Sequence, residues 1–214
     1  MLRKRINQNP LKTMLVVTAS EAETLYFSQM RKDCRYANMH VQWAGAGIKS
    51  LEDLVLYTAK LRTKGKYDST WAMFGFADMG VNAAQVKAVM PLAESKKVRL
   101  VWTNPSLPLW FLLHLQAPKG PVMDPAVISN ALKGPLPGFA PDARYLLTDG
   151  MSLHLKLYPA KAKAALNASS YNELVEPRTG LSATNFPSLL NEISEICGLA
   201  DLSHNQKLVG MKNS

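Results

Sequence analysis

Apolar runs and helical stripes alternate along the first half of the chain. Residues 13–17 form a compact apolar run with two valines, and apolar residues then recur at helical spacing over 22–30. Further strands are predicted over 39–44, 70–76 and 98–102, and helices over 83–95, interrupted near Pro91, and from Ser50 onward. Strands that alternate with helices predict an α/β fold with a doubly wound, mostly parallel sheet flanked by helices.

The composition changes beyond His114. Prolines and glycines punctuate 117–141, so only short helices fit there. Helical patterns follow over 149–168, with a break near Pro159, and over 186–197. The predicted organisation is a basic N-terminal arm (1–12), an α/β domain (13–116), a helical Pro/Gly-interrupted region packing on it (117–200) and a loose tail (201–214).

Charge points to a polyanionic partner. The chain has 214 residues, of which 47% are apolar, and carries a net charge of +9. Such an excess favours nucleic acid, although a basic surface kept for solubility is the alternative. Cys34 and Cys197 belong to no metal-binding pattern, and no apolar stretch approaches the length of a membrane span, so we expect a reduced, cytoplasmic protein without a membrane partner. The oligomeric state is left open.

Several common chemistries lack their motifs. The run Gly45-Ala46-Gly47 misses the third glycine of a dinucleotide fingerprint, and no phosphate-binding P-loop or Gly-x-Ser-x-Gly elbow occurs. The four histidines show no zinc-binding spacing. These observations disfavour nicotinamide-dependent, P-loop, serine-hydrolase and zinc-protease chemistry.

Three acids follow predicted strands and are candidates for metal-dependent phosphoryl chemistry. They are Glu21, Glu23 and Asp78, and such chemistry needs carboxylates that converge at the carboxyl ends of neighbouring strands. Structural alternatives exist. Ser20 and Glu23 fit a helix capping box, and Asp78 fits a turn.

The segment after the first strand resembles the opening motif of the RloB-like family, Toprim-related proteins of bacterial restriction and abortive-infection loci. The family motif is an apolar strand, Cys-Glu-Gly, a spacer, Thr-Glu-Pro and a Tyr-Phe pair. Glu23, Tyr26 and Phe27 match it. Thr18 stands where the family has its first glutamate, and Ala19 stands for the glycine.

Two later motifs extend the resemblance. The third strand of the family ends in an Asp-x-Asp-Asp type cluster. Here Gly75 and Ala77 stand in place of two of these acids, and Asp78 is retained. The family's Ser-Asn-Pro and Glu-Leu-Trp-Leu-Leu-His segments are matched by Asn104, Pro105, Leu109, Trp110, Leu113 and His114, with Pro108 in place of the glutamate.

The resemblance implies a Toprim-like sheet and a phage-defence role, while the replaced acids imply lost metal-dependent cleavage. We therefore expect no cofactor, or Mg²⁺ or Mn²⁺ held weakly by Asp78 and Glu23, and action through nucleic acid or a partner protein. One alternative is an active nuclease whose site is rebuilt from Glu21, Glu23 and Asp78. Another is a non-enzymatic regulatory subunit of a defence operon, with an ATPase partner that the family implies.

Overall fold

The computed structural model describes residues 11–205, so most of the predicted basic arm and the end of the predicted tail lie outside the described residues. The strands are β1 (Met14–Thr18), β2 (Met39–Trp43), β3 (Ser69–Gly75) and β4 (Arg99–Thr103). The helices are α1 (Glu21–Cys34), α2 (Leu51–Gly65), α3 (Phe76–Met79), α4 (Ala83–Ser95), α5 (Pro108–Leu115), α6 (Pro125–Lys133), α7 (Ala143–Leu147), α8 (Leu153–Leu157), α9 (Lys161–Thr179) and α10 (Phe186–Cys197).

The four strands form one parallel sheet in the order β2-β1-β3-β4. Thr18 pairs with Trp43 on one side and Met73 on the other, and Gly75 pairs with Thr103. Because all strands run the same way, their carboxyl ends share one edge of the sheet and their amino ends share the opposite edge. The predicted α/β class with a parallel sheet is confirmed, and it is consistent with a Toprim-like fold.

Each face of the sheet is covered by helices. Alternate strand residues such as Val16 and Met73 join a large core with α1 and the helices that follow β4, while Val17 and Phe74 face α2 and α4. The strands β1 and β3 are buried along their whole length, which explains why they appear as continuous apolar runs in the sequence.

The predicted interruption of α4 at Pro91 is wrong, because the helix continues through the proline to Ser95. Pro91 and Lys87, whose carbonyl loses its intrahelical partner, both lie on the exposed side of the helix. Val89 and Ala93 on either side are buried against the sheet. Their burial holds the helix together across the proline. The predicted break near Pro159 is present, as a 3₁₀ turn over Tyr158–Ala160 between α8 and α9.

Replacing Pro91 with alanine is expected to raise the free energy of unfolding by about 2 kcal/mol, since an interior proline costs about 3 kcal/mol in a helix and returns about 1 kcal/mol by restricting the unfolded chain. Urea unfolding followed by circular dichroism measures the change. Pro159→Ala is the control, because Pro159 sits at the start of a turn and should give no gain. Equal gains in both variants would contradict this assignment.

The two outer strands differ in whether their outward-facing backbone groups are already hydrogen-bonded. Along β4, the Asn185 side chain accepts from the Trp102 N–H at 2.8 Å and donates to the Leu100 carbonyl at 2.9 Å, as a neighbouring strand would. Thr184 also bridges to Thr103. On the other side, β2 ends the sheet and exposes His40, Gln42 and Trp43. Within residues 11–205, no helix is long and apolar enough to cross a membrane.

Candidate functional site

A cavity of about 150 Å³ lies at the carboxyl edge of the sheet, where the sequence places the candidate acids. It is bounded by the start of α1, by α3, by the start of α5 and by the loop before α7. Polar groups reach it from four segments, namely Ser20, Asp78, Ser106 and Asp142, and its remaining wall is apolar, including Pro108 and Phe111.

Glu23 is fully buried in the first turn of α1 and closes the predicted capping box. The Ser20 hydroxyl accepts from the Glu23 N–H at 3.2 Å, and Glu23 Oε2 accepts from the Ser20 N–H at 3.0 Å. Glu23 Oε1 has no hydrogen-bond partner among the described residues. Burial and, second to it, the nearby charge of Asp78 together raise the pKa of Glu23 to about 8. Glu23 is therefore largely protonated at neutral pH and acts first as a cap.

Asp78 lies over Gly75. A Cβ added to Gly75 would sit 2.1 Å from Asp78 Oδ2 and 3.1 Å from the Ser106 Cα, so the Asp78 carboxylate occupies the space that a side chain at position 75 would need. The short helix α3 produces this placement, because it turns the chain back at once after β3 and ends at Gly80 with φ of 63°. The residue remains exposed on one side, and partial desolvation raises its pKa.

Glu21 does not join this pair. It is exposed in the first turn of α1, and residues two apart on a helix point in different directions, so Glu21 faces away from Glu23. Of the three predicted acids, Glu23 and Asp78 lie close enough for the charge of Asp78 to raise the pKa of Glu23.

The residues that we predicted to stand in place of family acids have structural roles. The buried Thr18 hydroxyl donates to the Ser20 carbonyl at 2.9 Å and contacts the Thr24 hydroxyl. The Ala77 N–H donates to the Pro105 carbonyl at 2.8 Å, which ties α3 to the loop after β4. Pro108 begins α5, where its missing N–H costs nothing.

The other motif residues build the wall between α5 and α1 rather than the cavity. The Trp110 ring stacks on Phe186 with centroids 4.5 Å apart, and its N–H donates to the Tyr26 hydroxyl at 3.2 Å. His114 is buried with Nδ1 2.8 Å from the Trp110 carbonyl. Burial lowers the pKa of His114 to about 4, so this ring is neutral at pH 7. The Asn104 N–H donates to the Ala183 carbonyl at 2.7 Å, just before Pro105.

The chain is similar in sequence to a known protein family. A family model described as RloB-like protein matches residues 14–193, which is most of the chain. The chain belongs to the RloB-like family. Comparison with curated proteins and with solved structures finds no significant match.

The carboxylates of this RloB-like chain do not fit a centre for two divalent cations. Such a centre needs several oxygen ligands that converge on the ions. Across residues 11–205, no group of three or more His, Cys, Asp or Glu side chains is arranged to hold a metal. Of the two acids that interact electrostatically, Glu23 favours its protonated form and uses Oε2 to accept from the Ser20 N–H.

Sequence reasoning on this RloB-like protein missed Asp142, which lines the cavity from the helical region. Its carboxylate accepts from the Tyr145 N–H at 2.8 Å and caps α7. An aspartate before a short helical run was the available signal, but only folding places it opposite Asp78. It also missed a buried pair on the far side of α1, where His154 Nδ1 lies 3.0 Å from Asp33 Oδ2.

Proposed function

We propose that this protein is a phage-defence protein on a nuclease-type scaffold that has lost metal-dependent cleavage and acts by binding nucleic acid. The observation that carries the proposal is the position of Asp78 over Gly75. The chemistry needs several converging carboxylates, whereas the exposed acids of the site are Asp78 and Asp142, and Asp142 is engaged as the cap of α7. The neighbouring Glu23 is a buried cap.

Charge supports nucleic acid as the partner. Lysine and arginine outnumber aspartate and glutamate by 25 to 16. A protein that neutralises phosphates releases the counterions condensed on the nucleic acid, and this release favours association at low salt. Binding of this kind needs no metal, so it is expected to persist in a chelator.

A second candidate is an active nuclease that uses Glu23 and Asp78 with Mg²⁺ or Mn²⁺. The observation that favours it is the free Glu23 Oε1, a buried oxygen without a partner in the described part of the chain. Deprotonation of Glu23 would be required before it could bind a cation. A third role, regulation of a defence-operon ATPase, would proceed through a protein interface.

Incubation with end-labelled single- and double-stranded DNA and RNA in Mg²⁺ or Mn²⁺ is expected to give no cleavage that EDTA abolishes. Asp78→Asn and Glu23→Gln should leave the gel pattern unchanged, and the wild type should shift the same probes in EDTA. Asp53→Asn is the matched control, since Asp53 is an exposed acid in the first turn of α2. Chelator-sensitive cleavage that is lost in Asp78→Asn but kept in Asp53→Asn would establish the active nuclease instead.

A further inference from the structure

Basic residues in a left-handed conformation follow three helices that flank the sheet. Arg35, Lys66 and Lys97 have φ of 56°, 54° and 56°, and they are the non-glycine residues with positive φ in residues 11–205. Glycine is the usual residue at such a helix end, because other side chains are strained there. All three side chains are exposed. The chain thus accepts backbone strain three times and places a cation each time.

These helix ends lie together. The helices α1, α2 and α4 each return from the carboxyl edge of the sheet to its amino edge, where the next strand begins. We define the basic edge as the exposed cations at these helix ends and strand starts: Lys12, Arg31, Lys32, Arg35, Lys64, Lys66, Lys96, Lys97 and Arg99. Ion pairs between described residues engage two of them, Arg35 with Asp201 and Arg99 with Glu192. The nearby Asp68 carboxylate is already engaged by the Thr13 N–H at 2.7 Å.

Helix dipoles explain only part of this pattern. A helix C-terminus favours cations in its last turn, as with Arg31 and Lys64. It does not require a lysine at a left-handed position, where glycine would satisfy the backbone with less strain. Lys66 and Lys97 therefore call for another explanation.

Exposed acids gather at the opposite edge of the sheet, where Lys49 and Arg144 are also exposed. Exposed acids at the carboxyl edge are Glu21, Glu52, Asp53, Asp78 and Asp142. Five-residue strands separate the two edges by about 16 Å, since a strand rises about 3.3 Å per residue. A polyanion held by the basic edge is therefore kept away from the cavity that contains Asp78.

A groove of about 300 Å³ opens beside the basic edge, between α2 and β2. Gln42, Lys64 and Tyr67 line it, with Leu15 and Leu61 at its floor. The Tyr67 ring lies against Gly65, where an added Cβ would be 2.3 Å from a ring carbon, and its centroid is 5.1 Å from that of His40. An aromatic ring beside a lysine and a glutamine suits an unpaired base next to a phosphate.

We propose that the basic edge binds single-stranded nucleic acid, with phosphates on its lysines and arginines and a base in the Tyr67 groove. The proposal rests on the proposed function for the class of ligand and adds the location and the strand preference. Binding and the candidate cavity are then on opposite edges of the sheet.

Fluorescence anisotropy of labelled oligo(dT) and oligo(rU), in EDTA and across a KCl series, tests the location. A triple variant with Lys64→Gln, Lys66→Gln and Lys97→Gln is expected to bind at least tenfold more weakly. The slope of log K against log salt should fall in magnitude by about 2, at roughly 0.7 per lost phosphate contact. The control is a triple variant with Lys87→Gln, Lys119→Gln and Arg178→Gln, which removes three exposed cations outside the basic edge. It should keep the wild-type salt slope. Equal weakening in both triple variants would overturn the location.

Lys66→Gly/Lys97→Gly separates binding from folding. Glycine relieves the left-handed strain, so the melting temperature should stay level or rise by a few degrees, on the order of 2 °C per site. Affinity for the oligonucleotides should fall in the same protein. Unchanged affinity with a higher melting temperature would mean that these lysines serve the backbone only, and would overturn the proposal.

Gly65→Ala tests the groove without changing the charge. The new methyl group displaces the Tyr67 ring, and loss of one base stack is expected to weaken single-strand binding by about fivefold or more while duplex binding is unchanged. Equal affinity of the wild type for duplex and single strands, or no effect of Gly65→Ala, would overturn the strand preference.

Wild-type protein that binds no nucleic acid would overturn the proposed function itself, whereas binding that is insensitive to basic-edge variants would overturn this inference alone.

Discussion

Replacing Glu23 with glutamine is expected to raise the free energy of unfolding at pH 9 by on the order of 4 kcal/mol, and to change it little at pH 4. Burial, followed by the charge of Asp78, raises the pKa of Glu23 from 4.5 to about 8 in the folded protein. Between these two values the folded state keeps a proton that the unfolded chain has lost. The stability of the wild type should therefore fall as the pH rises from about 4.5 to about 8.

Glutamine removes this dependence and keeps the cap. Its amide oxygen can accept from the Ser20 N–H as Glu23 Oε2 does. Urea titrations at pH 4, 6, 7.5 and 9 measure the effect, and Glu21→Gln is the control because Glu21 is exposed in the same turn. Asp78→Asn should make the decline smaller and end it at a lower pH, since it removes a charge that raises the pKa of Glu23 in the folded protein. A decline of the same size in Glu23→Gln would show that another group causes it.

Trp110→Ala is expected to lower the free energy of unfolding by about 4 kcal/mol, in the range for truncating a buried large aromatic residue. Trp110 is 1% exposed, and its indole interacts with the side chains of Phe186, His114 and Tyr26. It stacks on Phe186, meets the His114 ring edge-on at a centroid distance of 4.8 Å and donates to Tyr26. The loss therefore loosens α5 from both α1 and α10.

Two further variants apportion this effect. Trp110→Phe retains an aromatic ring against Phe186 but loses the N–H donor, so about half of the loss is expected. Phe186→Ala, alone and with Trp110→Ala, should reveal a coupling of about 1 kcal/mol from the stacked pair. Urea unfolding at pH 7 measures each step. A loss below about 1 kcal/mol for Trp110→Ala would contradict the assigned packing.

Much of the α/β part could be predicted from the sequence because its signals are local. Parallel strands buried on both faces leave continuous apolar runs, and Ser20 and Ser50 mark helix starts with side chains that accept backbone N–H bonds. The course of α4 through Pro91 was mispredicted because burial of its neighbours outweighs a local preference. In α9, which runs to Thr179, small buried residues such as Ala164 and Ala168 leave little apolar contrast in the sequence.

The candidate site was less predictable because it depends on distant contacts. The sequence shows Asp78 after β3, but its place over Gly75 depends on the tight turn of α3. Asp142 reaches the cavity only through packing of the helical region. Net charge likewise indicates a basic protein without indicating which edge of the sheet is basic, since that requires the directions of the strands.

Two backbone groups at the outer side of β4 are hydrogen-bonded by the Asn185 side chain, whereas β2 ends the sheet, and this difference limits how copies of the sheet could join. Asn185 engages the Trp102 N–H and the Leu100 carbonyl of β4, so among residues 11–205 the β2 edge is the one left for strand addition. If two chains met at β2 through a two-fold axis, the two β2 strands would run antiparallel and each chain would use this edge once. Joining by this route ends at a closed pair, and the sheet cannot propagate into a fibre.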